Sequence, residues 1–342
     1  MKVNEYDYYL PPGFIAQKPM RPRDCSRLMV LNRSKRTVEH KIFKNIIEYL
    51  RPGDVLVLNN TKVFPSRIFG HKEETGGSVE VLLVKSLDEK RWEALVKPGK
   101  RVSTGTKLFF SQNLSGVIEG KDIEKGSYRI KFGFNGNFQQ ILKEIGQMPT
   151  PPYIKEKLKE KGDYQTVYAH DEGSIAAPTA GFHFTDSLIK KISAKGIEVV
   201  FIILHVGRGT FEPIRVTELK QHKMSSEYYF IPENSAKIIN KARNENRRIV
   251  SVGTTTTRTL ESAFNHDSKS ILSGGNWSEI FIYPGYQFKA IDVLITNFHL
   301  PKSTPLMMAA AFAGKEFLLE TYVRAIQEKY RFYSFGDAMI II

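Results

Sequence analysis

The sequence predicts a two-domain protein of mixed α/β class: an α/β body interrupted by a small antiparallel β-barrel. Three observations carry this expectation. At 342 residues the chain is longer than one core usually organises. After residue 165, apolar strands alternate with amphipathic helices, the pattern of a largely parallel sheet covered on both faces. Between about Val63 and Phe134 the texture changes to six short strand-like runs, most of them separated by Gly-bearing turns, the pattern of a small barrel or sandwich. The expected boundaries are 1–62 with 149–342 for the body and 63–148 for the insert.

In chain order, Arg27–Leu31 reads as a strand and Ser34-Lys35-Arg36-Thr37 as a polar turn. Ile42, Ile46 and Leu50 recur at four-residue spacing, which predicts one helix face ending at Pro52-Gly53. Asp54–Leu58 is a buried-type strand leading to Asn59-Asn60-Thr61-Lys62. In the insert, Ser78–Val84, Trp92–Val96, Lys107–Phe110 and Tyr128–Phe132 are strands, and Phe138–Ile145 is a helix on the way back. The alternating charges from Lys155 to Lys161 read as a solvated helix surface.

Thr185 and Asp186 open a helix carrying Leu188, Ile189 and Ile192, stopped at Gly196. Ile197–Val206 follows as an apolar strand. A helix over Asn234–Asn244 then feeds a strand at Arg248–Gly253, and strands are expected at Glu279–Tyr283 and Asp292–Thr296. Ser303/Thr304 with Pro305 starts a helix through Ala313, and a second runs from Glu316 to about Lys329. Ligands of such sheets sit at the carboxyl ends of the strands. The loops Asn59–Lys62, His205–Thr210, Thr254–Arg258, Tyr283–Tyr286 and Asn297–Lys302 are expected there, around a shared pocket.

Lys and Arg outnumber Asp and Glu by 50 to 36, a formal charge of +14. Such an excess favours a polyanionic partner, nucleic acid first. No apolar run reaches the ~18 residues of a membrane span and the first residues lack a signal-peptide pattern, so the expected compartment is the cytoplasm with no membrane partner. A single cysteine, Cys25, argues against an internal disulfide, a cysteine-rich zinc site or an iron–sulfur cluster; it reads as a packed thiol. There is neither a Walker phosphate loop nor a G-x-G-x-x-G after a strand, which disfavours nucleoside triphosphates and dinucleotides.

The chemistry concentrates in two small-residue segments, Gly173–Thr185 and Leu204–Phe211, which bring His183, His205 and Arg208 to glycine-rich turns. Thr254–Arg258 offers hydroxyls, helix-start N–H groups and a guanidinium for an anion or a ribose. Asn297–Lys302 adds an amide, an imidazole and an ammonium. His222 and Glu227, five apart, form a candidate proton-transfer pair without the H-E-x-x-H spacing of a catalytic zinc site, and no metal is expected. Lys97, Lys100 and Arg101 crown one loop of the insert as candidate RNA-backbone contacts, with Lys302 a further one in the body.

These segments resemble, nearly end to end, the S-adenosylmethionine:tRNA ribosyltransferase-isomerase family of queuosine biosynthesis. The resemblance rests on Ile15-Ala16-Gln17, Leu58-Asn59-Asn60-Thr61, Pro98–Arg101, Pro151–Ile154, Tyr164–Ala169, Gly173–Thr185, Leu204–Phe211, Gly253–Glu261, Phe281–Tyr286, Thr296–Thr304 and Tyr330–Phe332 with Gly336–Met339. One departure is Ser225, where the family pattern H-x-M-H-x-E has a second histidine.

The resemblance implies a barrel-like α/β main domain with an inserted small β-barrel. It also implies transfer and isomerisation of the ribosyl part of S-adenosylmethionine onto 7-aminomethyl-7-deazaguanine at the tRNA wobble position. Adenine and methionine leave and epoxyqueuosine forms, in a monomer without a resident cofactor, because the sulfonium compound is consumed as a co-substrate. The implied catalytic candidates are His183 or His205 for proton transfer, Glu227 as a second carboxylate and Asp337 in support. The substrate-binding candidates are Asn60, Thr179, Gly181, Phe182, Gly207, Arg208, Gly209, Thr210, Thr254, Thr255, Arg258, Asn297 and His299. Arg208 or Arg258 is the expected partner of the methionine carboxylate, and Phe182 or Phe184 of the sulfonium. A methyltransferase or a non-catalytic tRNA-binding protein are the alternatives.

Overall fold

The structure is a computed structural model describing all of residues 1–342 apart from 125, 157, 159, 208–213 and 215. Two compact units separate by their internal contacts: Met1–Lys62, Pro151–Glu172 and Ala177–Ile342 form one, Val63–Thr150 with Gly173–Ala176 the other.

In the larger unit, nine strands form one sheet among the described residues. Its spatial order is Gly274–Ser278, Glu227–Ile231, Glu198–Leu204, Val55–Asn59, Ile249–Val252, Val293–Asn297, Ala338–Ile341, Arg27–Asn32 and Thr37–Ile42. The four central strands, from Glu198–Leu204 to Val293–Asn297, run parallel. Ala338–Ile341 is antiparallel to Val293–Asn297 and parallel to Arg27–Asn32, and the outermost pairings are antiparallel. The sheet is therefore mixed, with four parallel strands in the middle and one further parallel pair, Ala338–Ile341 with Arg27–Asn32, toward one edge. Of its antiparallel pairs, Arg27–Asn32 with Thr37–Ile42 is a hairpin, whereas Val293–Asn297 reaches its antiparallel neighbour Ala338–Ile341 through two helices, Thr304–Ala313 and Lys315–Gln327.

Val55–Asn59, Ile249–Val252, Val293–Asn297 and Ala338–Ile341 are buried along their whole length, as strands covered on both faces must be. On one face Leu56, Leu58, Val250 and Ile295 pack with Ile46, Leu50, Leu188 and Ile192. On the other, the helix Thr254–Ala263 sets Thr257 Oγ1 2.9 Å from Ser251 Oγ, and Ser235 of the helix Glu233–Asn244 donates to the carbonyl of Phe201 at 2.7 Å. Helix starts follow the expected cap chemistry. The Thr185 and Ser303 hydroxyls accept from Leu188 N–H and Leu306 N–H, opening Asp186–Ala194 and Thr304–Ala313.

Several local expectations change. No helix covers the described residues of the alternating-charge stretch: Lys155 and Glu156 lie outside any helix, 157 and 159 are outside the described residues, and a 3₁₀ turn, Lys161–Tyr164, begins only at its end. Ile42 ends the strand Thr37–Ile42, and the residues after it form a 3₁₀ turn, Phe43–Glu48; Ile46 and Leu50 keep their buried positions. Thr37 belongs to that strand and not to the preceding turn. The strand placed at Glu279–Tyr283 lies instead at Gly274–Ser278, where it pairs with Glu227–Ile231. Ile280, Phe281 and Ile282 line the wall of a cavity, with Ile282 buried and the other two half-buried.

The smaller unit contains a closed barrel of six antiparallel strands: Arg67–Lys72, Ser78–Ser86, Arg91–Lys97, Lys107–Ser111, Leu114–Asp122 and Ser127–Phe134. Alternating inward residues, among them Val79, Val81, Leu83, Ile118 and Ile130, fill it. Phe138, Ile141 and Leu142 of the helix Phe138–Ile145 pack on the same core. Tyr128 donates its hydroxyl to the carbonyl of Gly99 at 2.6 Å, anchoring the short turn that carries Lys100 and Arg101.

Candidate active site

At the carboxyl ends of the central parallel strands the chain leaves about 690 Å³ of unfilled space, its open mouth included. Ala177–Ala180 and Val206 both line it, so the two small-residue segments meet at one cavity. Gly253 and Thr254 follow the strand Ile249–Val252, Asn297 ends Val293–Asn297, and His299 and Ser303 lie just beyond; all contribute to the wall. Gly253 turns the chain from strand to helix at φ +91°, a conformation that favours glycine.

His183 lies behind this wall. It is 3% exposed, with Nδ1 2.7 Å from Ser26 Oγ and Nε2 3.0 Å from Asn297 Nδ2. Asn297 Nδ2 has only protons to offer, so Nε2 accepts and Nδ1 carries the proton donated to Ser26. Burial, helped by the nearby Arg331 and Arg23 cations, pushes the imidazole pKa down to about 3. A neutral ring with both nitrogens committed is a fixed hydrogen-bonding post. Through it Asn297 is oriented, and the other end of its amide accepts from Thr179 Oγ1 at 3.1 Å.

His205 is differently placed. It is partly buried, its Nδ1 stands 2.8 Å from Thr61 Oγ1, and its ring lies nearly parallel to that of Tyr228 at 6.1 Å. Burial lowers its pKa, opposed by the charge of Asp171. Asp171 is itself pinned by Asn60 Nδ2 at 2.9 Å, so Asn60 acts through this segment and is absent from the cavity wall. His299 lines the cavity, with Nε2 2.9 Å from Thr296 Oγ1, and burial pushes its pKa down to about 3.

Glu227 and Arg258 form a buried ion pair. Glu227 Oε1 also accepts from Gly207 N–H at 2.8 Å, tying the turn after His205 to the pair. Arg258 sends its second terminal nitrogen to the carbonyl of Ser278 at 3.2 Å. Both terminal nitrogens of the guanidinium are thus engaged, and Nε has no partner among the described residues. His222 packs edge-on against Phe281, with ring centroids 4.9 Å apart. Ser225 is exposed.

Asp337 is a clasp. Its carboxylate accepts from Arg27 N–H at 3.0 Å, Arg331 N–H at 2.8 Å and the Arg331 guanidinium at 3.2 Å. Gly181 is required by close approach, since a Cβ there would stand 2.0 Å from Tyr168 Oη. Phe182 stacks on Phe335 at 5.8 Å, and Phe184 is fully buried in the core. Lys97, Lys100 and Arg101 are exposed on the barrel, and Lys302 pairs with Asp7 at 2.7 Å. Arg208, Gly209 and Thr210 lie outside the described residues.

Sequence reasoning left Tyr153, Tyr333 and Ser334 out of the candidate set, although all three line the cavity. Tyr153 Oη and Ser334 Oγ are 2.7 Å apart, and the Tyr153 and Tyr333 rings meet edge to face at 4.2 Å. Tyr333 has φ +73°, rare for a bulky residue and a mark of local constraint. The available signal was position: Tyr153 belongs to the Pro151–Ile154 motif, and the other two lie between Tyr330–Phe332 and Gly336. Among the described residues, no group of three His, Cys, Asp or Glu side chains could hold a metal ion. No helix among them is long and apolar enough to cross a membrane.

A cavity of this kind, at the carboxyl ends of parallel strands and lined by hydroxyls, an amide and an imidazole, defines a small-molecule-binding α/β protein. A sequence model of the family described as "Queuosine biosynthesis protein" matches residues 3–341, and the chain belongs to that family. It is 52% identical over 343 residues to a Clostridioides difficile protein named S-adenosylmethionine:tRNA ribosyltransferase-isomerase. A Thermoanaerobacter protein of the same name is 50% identical over 344 residues, and in both alignments all of each chain is covered. The fold is also similar to the crystal structure of an S-adenosylmethionine tRNA ribosyltransferase from Thermotoga maritima, with a TM-score of 0.56, 39% identity and coverage of 99% of this chain and 100% of that one.

Proposed function

We propose that this chain is an S-adenosylmethionine:tRNA ribosyltransferase-isomerase of queuosine biosynthesis. It moves the ribosyl part of S-adenosylmethionine onto 7-aminomethyl-7-deazaguanine at the tRNA wobble position and isomerises it, and adenine and methionine leave. The observation that carries this reading is the meeting of Ala177–Ala180, Val206, Gly253–Thr255 and Asn297–His299 around one cavity, in a chain matched over its whole length by relatives bearing that name.

The sulfonium acidifies the ribose C5′ hydrogens, so a neutral base must stand near them. His205 is the candidate: it does not line the cavity itself but immediately precedes Val206, which does. Its lowered pKa keeps it neutral near pH 7, and with a proton on Nδ1 facing Thr61 its Nε2 is left as the acceptor, without a hydrogen-bond partner among the described residues. His183 positions Asn297 and Thr179 for the donor. The Glu227–Arg258 pair holds the Gly207 turn, and Asp337 fastens the segment behind Tyr333 and Ser334. The +14 charge serves the tRNA backbone, with Lys97, Lys100 and Arg101 of the barrel as its contacts. The reading includes a monomer acting in the cytoplasm, with no resident cofactor.

The test is product analysis with S-adenosylmethionine and a tRNA carrying the deazaguanine base. Free adenine and methionine in equal amounts are expected. S-adenosylhomocysteine as the product instead makes the chain a methyltransferase and overturns the reading.

A further inference from the structure

Beside the cavity described above lies a smaller one of about 350 Å³, its mouth included. Thr254, Thr255 and Pro305 stand in the walls of both, so the two are lobes of one site. The smaller lobe is lined by Met224, Ile280, Phe281, Ile282 and Met308. Its polar wall comes from the opening turns of two helices, Thr254–Ala263 and Thr304–Ala313. Two groups in that wall lack partners: Thr255 Oγ1 and Arg258 Nε are buried with no hydrogen bond among the described residues. The residues carrying them are only 8% and 5% exposed. Eight buried side-chain polar atoms lack a hydrogen bond among the described residues, and these two belong to residues of one small cavity wall, where a ligand could satisfy both.

The lobe specifies that ligand's chemistry. Arg258 Nε can only donate, as every guanidinium nitrogen does, and the two terminal nitrogens already engage Glu227 and the Ser278 carbonyl. Helix openings add N–H donors and partial positive charge. The matching end of a ligand accepts hydrogen bonds and is anionic, and its body is slender and apolar. Adenine fits poorly, since it is uncharged and carries no anionic group to meet the Arg258 donor. The methionyl arm of the sulfonium donor fits, with an α-carboxylate for these donors, an α-ammonium that the Thr254 and Thr304 hydroxyls can accept from, and a methylene–sulfur chain that packs well on Met224 and Met308. Resting on the ribosyl-transfer reading, we infer that the smaller lobe seats the methionyl arm of S-adenosylmethionine, with Thr255 Oγ1 and Arg258 Nε donating to its carboxylate. The nucleoside then extends past the Thr254–Thr255 rim into the larger lobe, among Tyr153, Asn297 and Tyr333.

Decarboxylated S-adenosylmethionine separates the possibilities, because it keeps the sulfonium and lacks only the carboxylate. Adenine release by the wild type should be roughly 10- to 100-fold less efficient in kcat/KM with this donor, the worth of a hydrogen bond to a charged group. Thr255→Val should lower kcat/KM about tenfold for S-adenosylmethionine and leave the decarboxylated donor within about twofold, a non-additive pair. Met308→Phe fills the lobe; it should raise KM for both donors and weaken inhibition by methionine while sparing inhibition by adenine. Equal losses for both donors in Thr255→Val overturn the assignment, as does a Met308→Phe effect that falls on adenine. Should Thr255→Val fail to fold, the Met308→Phe pattern decides. A wild type that releases no adenine refutes the reaction itself, and equilibrium dialysis of methionine against the wild type and Met308→Phe then still decides whether the lobe is a methionine seat.

Discussion

Replacing Glu227 with Gln isolates one charge. The side chains of Glu227 and Arg258 are 1% and 7% exposed, so the pair is shielded from water on both sides. Glutamine keeps an oxygen for Gly207 N–H and retains the volume, but leaves the guanidinium buried without a counter-charge. Breaking a buried pair from one side costs about 3–5 kcal/mol. At roughly 2–4 °C per kcal/mol for a large domain, Tm should fall by about 6–20 °C in thermal melts followed by circular dichroism. The double variant Glu227→Gln/Arg258→Met removes the stranded charge and should recover most of that loss, since apolar replacements of buried pairs are often neutral. A single variant melting within about 2 °C of the wild type, or a double variant no more stable than the single, refutes the reasoning.

The remaining expectations concern pH, packing, chemistry and charge. His183 and His299 are pushed down from 6.5 to about 3, so between those values the unfolded chain binds protons that the folded chain does not. Stability should therefore be flat above pH 6.5 and fall as pH drops through that window, by up to about 1.4 kcal/mol per pH unit per histidine; His183→Gln should make the fall shallower in melts from about pH 6.5 to 4.5. Gly181→Ala forces Tyr168 aside and should cost about 1–3 kcal/mol, partly restored by Tyr168→Phe; a wild-type Tm would rule out the close approach. His205→Asn should lower kcat about 10²- to 10⁴-fold with KM for S-adenosylmethionine little changed, and normal turnover removes it as the base. Binding of tRNA should weaken linearly in log K against log salt, and Lys97→Ala/Lys100→Ala/Arg101→Ala should lower the slope by about 2–3 if the barrel grips the backbone; an unchanged slope refutes that grip.

The legible parts of the fold were those written in local chemistry. Ser303 before Thr304-Pro305, and Thr185 before Asp186, mark helix starts because a hydroxyl cap and a first-turn proline both favour a helix opening. The barrel showed through its turn spacing. Glu227–Ile231 was missed as a strand because its first residue drew a chemical reading, although its alternating burial is ordinary for a sheet near the edge. Ala338–Ile341 is four fully buried residues, too short and too uniform to show any period.

Within the site, sequence patterns brought the right segments together but not their side-chain partners. Ser26, His183 and Asn297 come from three distant stretches, and only folding reveals that they bind one another. The same holds for Glu227 and Arg258: each looked available for a ligand, and each is largely spent on the other.

Ala338–Ile341 slots between Val293–Asn297 and Arg27–Asn32, so one of the earliest strands in the chain waits for one of the latest before it joins the central array. A growing polypeptide shorter than about 338 residues leaves Leu28–Leu31 with a raw flank of unpaired amides. Stalled or truncated chains should therefore be sticky and protease-sensitive in this wing, and strand-capping peptides that copy Ala338–Ile341 would have somewhere to bind.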